Sequence, residues 1–382
     1  MRRARSFVRA VHLWLGLVVG ALFALLGLTG AALVFYIEID GALHPAASAP
    51  VPGAGPGWSS PVWDHALKTA RSRWPDPHGS WSFEATGQGG PIPARYYPPA
   101  DHAGHSHHDL RETVWFSADG GRVLRAEPWG EYAMSWLYEL HANLKADALG
   151  RQIAGWSGFA VILLLASGIV AWWPRGGWRK ALAFKRRAVP LRRLHDVHKL
   201  AGLSSAIPLA LLAMTGALLA MPGVRAVLLA PAAVPDPRSH RASGTQVPVA
   251  AALAAAHRAL PEARLSFIDV LGAGDGVFRM RVQVPGDPHR RFPGSFVFVD
   301  QYSARVLAIH DIRTAGGGTM VSAWVRGLHD GSAGGTVGRI LAIVAGLAPA
   351  ALLLTGLLHW RRRRAARARP ATITDNATGR LS

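Results

Sequence analysis

Four apolar blocks, Val11–Phe35, Ile153–Trp173, Leu200–Met221 and Ile340–Trp360, constrain this chain more than any other feature. Each is about 20 residues long with almost no charge, enough for a helix to cross a hydrocarbon layer roughly 30 Å thick. A backbone in that layer must satisfy its own hydrogen bonds, so helices are the expected form. The first block is too long for the core of a signal peptide, and no small-x-small cleavage site follows Phe35, so it counts as a membrane helix.

The chain has 382 residues and a formal charge of +19, which raises the question of nucleic acid. The excess sits in three short segments: "MRRARSFVRA" at the start, "PRGGWRKALAFKRRAVPLRRL" between the second and third blocks, and "RRRRAARAR" after the fourth. Basic segments beside membrane helices mark the cytoplasmic side, so topology explains the arginines and no nucleic-acid partner is expected. The expected order is a cytoplasmic N-terminus (1–10), helix one (11–36), a periplasmic domain (37–150) and helix two (151–173). A basic cytoplasmic loop (174–197), helix three (198–221), a second periplasmic domain (222–338), helix four (339–360) and a cytoplasmic tail (361–382) complete it. That arrangement suits a multi-pass protein embedded in the lipid bilayer, with its two long segments outside the cytoplasm.

Internal similarity divides the chain in two. At a shift of 186, His12, Gly16, Leu17, Thr29, Gly30 and Ala31 fall on His198, Gly202, Leu203, Thr215, Gly216 and Ala217. At a shift of 188, Trp136, His141, Gly150, Arg151 and Gly168 fall on Trp324, His329, Gly338, Arg339 and Gly356, and Ser167 meets Thr355. Two parallel repeats about an axis along the membrane normal are expected. Each external segment reads as a helix followed by alternating strands, "PVWDHALKTARSRWP" and "ETVWFSADGGRVLRAE" in the first half, "VPVAAALAAAHRALPEA" and "GSFVFVDQYSARVLAIHDI" in the second. The fold class is therefore four transmembrane helices in two repeats plus two small α+β domains, with "PAASAPVPGAGPG" as a flexible linker.

The similarity pairs His12 with His198 at the mouths of helices one and three, and His141 with His329 before helices two and four. With no cysteine in the chain, thiolate-held clusters and CxxCH haem attachment are excluded. Two neutral imidazoles from symmetric positions suit the axial positions of haem b, and two haems are expected, one near each face. Gly16, Gly20, Gly27, Gly30, Gly202 and Gly216 form stripes that permit close approach of a macrocycle or a helix. Arg9, Arg193, Arg151, Arg326 and Arg339 are candidate partners for propionates. His195 and His359 are alternative ligands on the cytoplasmic side. Interfacial residues without a cofactor are the plain alternative for all six histidines.

Other motifs carry less. His102, His105, His107 and His108 in "DHAGHSHHD" could bind a divalent metal or form a solvated loop. "GAGDGV" lacks the spacing of a dinucleotide fingerprint and reads as a hairpin turn. No nucleotide or flavin motif is visible, so electrons would come from another molecule, a quinol or a reduced flavin.

"VHLWLGL", "LHDVHKLAGL", "ELHANLKADALGRQIAG" and "GLHDGSAGGTVGRILA" together resemble the PepSY-associated transmembrane family, the iron-regulated membrane proteins of bacteria. "FVFVDQYSARVLA" is similar to the closing strands of a PepSY domain, although "QYS" departs from its D-x-x-T-G turn. The resemblance implies an inner-membrane reductase of ferric siderophores, of the ferrioxamine-linked type with two b haems. It implies His12, His198, His141 and His329 as ligands and a hydroxamate-bound Fe(III) as substrate. Outer-sphere electron transfer needs no catalytic acid or base. A regulatory membrane module that restrains a peptidase or binds an envelope signal is the rival from another class. A transporter is a third reading, with Pro208 and Pro349 as its only kink candidates.

Overall fold

The computed structural model describes residues 2–99, 111–174, 176–240 and 244–368. The histidines of "DHAGHSHHD" lie outside them. Four long helices are α1 (Arg2–Leu33), α5 (Asp147–Trp172), α7 (Pro190–Ala220) and α11 (Gly335–Ala368). Four stretches are long and apolar enough to span a membrane: Ser6–Leu33, Asp147–Trp172, Pro190–Ala220 and Ser332–Ala366, the last beginning in the turn before α11. Helix therefore runs past the apolar blocks into basic flanks, since Arg, Lys and Leu are good helix formers. Pro208 and Pro349 lie inside α7 and α11 without ending them.

Between α1 and α5 come α2 (Tyr36–Leu43), α3 (Val62–Arg73), β1 (Ser80–Glu84), β2 (Ile92–Tyr97), β3 (Glu112–Phe116), β4 (Val123–Pro128) and α4 (Ala133–Asn143). The short α6 (Trp178–Leu182) leads to α7. Between α7 and α11 come α8 (Pro222–Leu229), α9 (Val249–Ala259), β5 (Arg264–Val270), β6 (Val277–Gln283), β7 (Ser295–Asp300), β8 (Val306–His310) and α10 (Gly317–His329). The same order of elements thus occurs on both sides of α6.

Two small α+β domains are the expectation, and the structure joins their strands. The eight strands form one antiparallel sheet in the order β4-β3-β2-β1-β5-β6-β7-β8. The halves join where Trp81, Ser82, Phe83 and Glu84 pair with Val270, Asp269, Ile268 and Phe267. Strand edges are open hydrogen-bonding surfaces, and pairing β1 with β5 removes one from each half. The expected linker is pinned as well, through an Ala54–Gln88 bridge and a bond from Val51 N–H to the Gly89 carbonyl. "GAGDGV" is a turn between β5 and β6, as its composition suggests.

Both sheet-covering helices bury one stripe at i, i+3, i+4 and i+7: Trp63, Ala66, Leu67 and Ala70 in α3, and Val249, Ala252, Leu253 and Ala256 in α9. They meet Phe83, Ile92, Val114, Phe116, Ile268, Phe278, Met280 and Val297 on the facing side of the sheet. Asp64 of α3 accepts from the N–H groups of Val249 (2.7 Å) and Ala250 (3.1 Å), capping α9. The opposite sheet face looks toward the long helices, because Trp115 packs with Tyr132, Met134, Tyr36 and Leu33.

Candidate functional site

The long helices form a ring in which α1 and α7 each pack on α5 and α11 and stand across from one another. A cluster of Val161, Leu209 and Ala213, with Val19 and Phe23 against it, fills the middle of the bundle. Histidines occupy the space on either side of that plug.

His12 of α1 and His198 of α7 meet at the end remote from the sheet, with ring centroids 6.4 Å apart and planes at 78°. His141 of α4 and His329 of α10 meet at the sheet end, 6.1 Å apart and tilted by 39°. The structure thus brings the four predicted residues together in the two predicted pairs. Seventeen residues of α1 separate His12 from Thr29, the partner of His141, a rise of about 25 Å.

Each ring is held the same way. His12 Nδ1 lies 3.2 Å from the Leu164 carbonyl and 3.0 Å from Ser167 Oγ. His141 Nδ1 lies 2.9 Å from the Leu26 carbonyl and 3.1 Å from Thr29 Oγ1. His329 Nδ1 lies 3.2 Å from the Leu212 carbonyl and 3.1 Å from Thr215 Oγ1. His198 Nδ1 lies 2.9 Å from Thr355 Oγ1, and the ring also bonds the Leu352 backbone. The four hydroxyls donate into their own helices, to Leu164, Leu26, Leu212 and Leu352 carbonyls among others. Each hydroxyl therefore has only a lone pair to offer the imidazole, so every Nδ1 must carry the proton. The lone pair is left on Nε2.

Glycine completes the cradle one residue further on. A Cβ at Gly30 would stand 2.7 Å from Cε1 of His141, one at Gly168 2.8 Å from His12, one at Gly216 2.8 Å from His329 and one at Gly356 3.3 Å from His198. The predicted glycine stripe accordingly has two jobs. Gly30 and Gly216 seat imidazoles, whereas Gly27 lets α1 approach α11, since its Cβ would strike the Gly346 carbonyl at 2.2 Å. Gly16, Gly20 and Gly202 face only leucine methyls at 3.7–3.8 Å.

Burial pulls the pKa of His141 down to about 4, helped by repulsion from His329, and burial lowers that of His329 as well. Both rings at the sheet end are therefore neutral at pH 7, the form with a nitrogen lone pair to donate.

His195 and His359, expected as alternatives to the remote pair, form a ring pair of their own, 5.7 Å apart between α7 and α11. Among the described residues neither has a carbonyl-and-hydroxyl cradle; His195 Nδ1 lies 3.7 Å from Asp196. The buried Asp196 also accepts from Lys199 Nζ (3.0 Å), which donates to the Ala181 carbonyl (2.8 Å) and ties α6 to α7. Among the described residues no group of three or more His, Cys, Asp or Glu could hold a metal ion together.

The candidate arginines part company. Arg339 is engaged by the Val34 carbonyl (2.6 Å), Glu38 (2.7 Å) and the face of Phe35. Arg9, Arg151 and Arg193 are exposed and have no side-chain ion pair among the described residues. Arg326 lies over the Phe292 ring, on the sheet side of His329.

The hydroxyl anchors escaped the sequence reading, although the signal was present. "LGLTG", "LLASG", "LAMTG" and "LLLTG" are one L-x-x-[S/T]-G pattern, at Leu26, Leu164, Leu212 and Leu352. Comparison in two pairs hides what comparison of all four helices displays.

A family model described as the PepSY-associated TM region matches residues 9–363. A search of curated proteins finds no match to the chain.

Proposed function

The chain belongs to the PepSY-associated transmembrane family, and on that premise we propose that it is a haem-carrying reductase of ferric siderophores. The observation that carries the reading is the set of four imidazoles fixed in one tautomer and gathered in two pairs. Two imidazoles on one metal bring their centroids to roughly 6 Å, since each nitrogen binds at about 2 Å. The separations of 6.1 and 6.4 Å fit that requirement. Hydrogen bonding of the distal nitrogen to a carbonyl orients a ligating histidine and raises its basicity, which is the role of the four leucine carbonyls. The donor set therefore fits haem b at both ends.

Haem b held by these imidazoles would supply a one-electron iron couple. His12 and His198 would hold one at the basic face, and His141 and His329 the other near the sheet. The cradles keep all four rings from swinging, so little reorganisation accompanies electron transfer. In this reading the two halves are parallel repeats, the basic segments are cytoplasmic, and the sheet lies in the periplasm of a bacterial inner membrane protein. A quinol or reduced flavin donates on the cytoplasmic side. Siderophores hold Fe(III) far more tightly than Fe(II), so one added electron loosens the metal without breaking a covalent bond.

The test is the purified protein in mild detergent, with reduced-minus-oxidised spectra and a pyridine haemochrome count. A b-type spectrum with two haems per chain is expected. A colourless protein from haem-replete cells would overturn the reading and leave a regulatory module.

A further inference from the structure

On the bundle-facing side of the sheet, the Phe292 ring is a hub for four guanidinium groups. Arg291 and Arg326 lie 5.1 Å from its centroid, Arg95 5.7 Å and Arg281 5.9 Å. Phe267 stacks on Phe292 at 5.5 Å and 11°, and Arg95 also lies 5.0 Å from the Phe267 centroid. Four like charges around one ring need compensation, and the carboxylates present supply only part of it. Glu84 is taken by Arg291 in a two-point bond (2.7 and 2.8 Å) with Arg95 at 3.8 Å. Asp269 is taken by Arg279 (2.8 Å) and by Ser82. Asp287 is turned to the backbone N–H groups of Gly294 and His289. Asp330, one turn after Arg326, is taken by His289 (3.0 Å), whose ring packs on Phe292. Five arginines, counting Arg279, thus face four carboxylates, each already engaged.

Ring faces steady these cations but leave their N–H edges free, and a guanidinium has five N–H donors. Among the described residues neither Arg281 nor Arg326 has a side-chain hydrogen bond, and Arg281 Nε is buried without a partner. Burial pulls the Arg281 pKa down to about 10, so it stays charged at neutral pH. A buried charged donor with no acceptor is costly unless a ligand supplies one.

We infer that this arginine–phenylalanine cluster is a binding site for the iron-bearing substrate, and that the substrate is an anionic ferric chelate, with carboxylate or catecholate oxygens, rather than a neutral or cationic hydroxamate. The inference rests on the reductase reading, narrows its substrate class, and departs from the hydroxamate that the family resemblance implies. Arginine forks match paired anionic oxygens, and uncompensated positive charge repels a chelate that carries an ammonium arm. The position suits the reaction, because Arg326 precedes His329 by three residues of α10, a rise of about 4.5 Å. The Fe(III) of the chelate gains one electron and becomes Fe(II), and no covalent bond changes. A donor of the quinol or reduced-flavin class gives two electrons to two chelates and releases its protons on its own side.

The experiment uses the full chain in detergent and gallium(III) chelates, which mimic Fe(III) but accept no electron. Binding of gallium tris-catecholate and of a cationic gallium trihydroxamate is followed by tryptophan fluorescence, in wild type, Arg281→Gln and Arg326→Gln. Wild type should bind the catecholate at least about tenfold more tightly, with affinity falling as salt rises. Each substitution should weaken that binding by about tenfold and leave the trihydroxamate unchanged. Arg326 is exposed on a helix, so its variant keeps the test open if Arg281→Gln fails to fold. Equal affinity for the two chelates, or no effect of Arg326→Gln, would overturn the inference. So would loss of haem in these variants, which would turn the arginines into propionate partners. Since gallium binding needs no electron, a protein without haem that still prefers the catecholate would sink the reductase reading and leave the anion site standing.

Discussion

His329 and Thr215 are joined Nδ1 to Oγ1 at 3.1 Å, and because the threonine hydroxyl already donates to its own helix, the imidazole must be the donor. The hydroxyl and the Leu212 carbonyl (3.2 Å) both accept from Nδ1, which leaves Nε2 of His329 free. Thr215→Val should keep the ring near its place through the Leu212 carbonyl but weaken its hold. Haem affinity at the sheet end should fall by about 10- to 100-fold, with a shifted midpoint potential there and none at the His12–His198 end. Redox titration of the two haem populations would show it. Equal shifts in both would mean a general structural effect.

The six histidines of the bundle should not be equivalent. His329→Ala and His198→Ala should each lose one haem of the two by pyridine haemochrome, whereas His195→Ala and His359→Ala should retain both. The difference follows from the cradles, which the second pair lacks. Retention of both haems in His198→Ala would make His195 or His359 the ligand at that end.

Glycine should matter where an imidazole lies on it. Gly216→Ala puts a methyl 2.8 Å from Cε1 of His329, closer than packed atoms come, so the ring must move. The expected outcome is a lost or altered spectrum at the sheet end. Gly57→Ala, where nothing stands within 4 Å, is the control and should keep the wild-type spectrum.

The turn after β7 offers a test of stability. Ala304 has φ +54°, a left-handed conformation that costs a residue with a Cβ about 1 kcal/mol relative to glycine. Ala304→Gly should raise the melting temperature by an amount equivalent to about that free energy, less the extra entropy glycine has in the unfolded chain. An unchanged or lower value would show that this entropy wins.

The same turn predicts an acid response. Asp300 accepts from Tyr302 N–H (2.9 Å), Ser303 N–H (2.7 Å) and Ser303 Oγ (2.9 Å). Burial opposes ionisation, but these bonds outweigh it and hold the pKa at about 2, below the ordinary 3.8. A depressed folded pKa stabilises above the unfolded value and is lost as pH falls through the folded one. The melting-temperature gap between wild type and Asp300→Asn should thus be constant above about pH 5 and close between about pH 4 and pH 2. A gap that persists at the lowest pH would assign the effect to turn geometry alone.

Much of this was legible in the residues, for reasons that differ by element. Uncharged blocks near 20 residues specify membrane helices because lipid leaves few alternatives. The histidine pairs were readable because His12 and His198, and His141 and His329, sit in matching contexts of the two halves. Ser303 donates its hydroxyl to Asp300 (2.9 Å), which is why "QYSA" still turns although it departs from D-x-x-T-G. The β1–β5 seam was not readable: Ser82, Glu84 and Asp269 look like solvent-facing positions, and only the pairing of two edges explains their burial. Nor did composition show that arginines on β2, β6 and α10 converge on Phe292, because that meeting depends on the seam.

Because β1 and β5 are the middle strands, neither half owns a complete sheet. The long helices hang from one plate, α1 and α5 from one wing, α7 and α11 from the other. Splaying the wings would tear a ladder of backbone bonds, so the width of the gap between α1 and α7 is gauged by the sheet. Both imidazole pairs close across that gap, so the spacing within each pair is set by backbone geometry well away from any histidine.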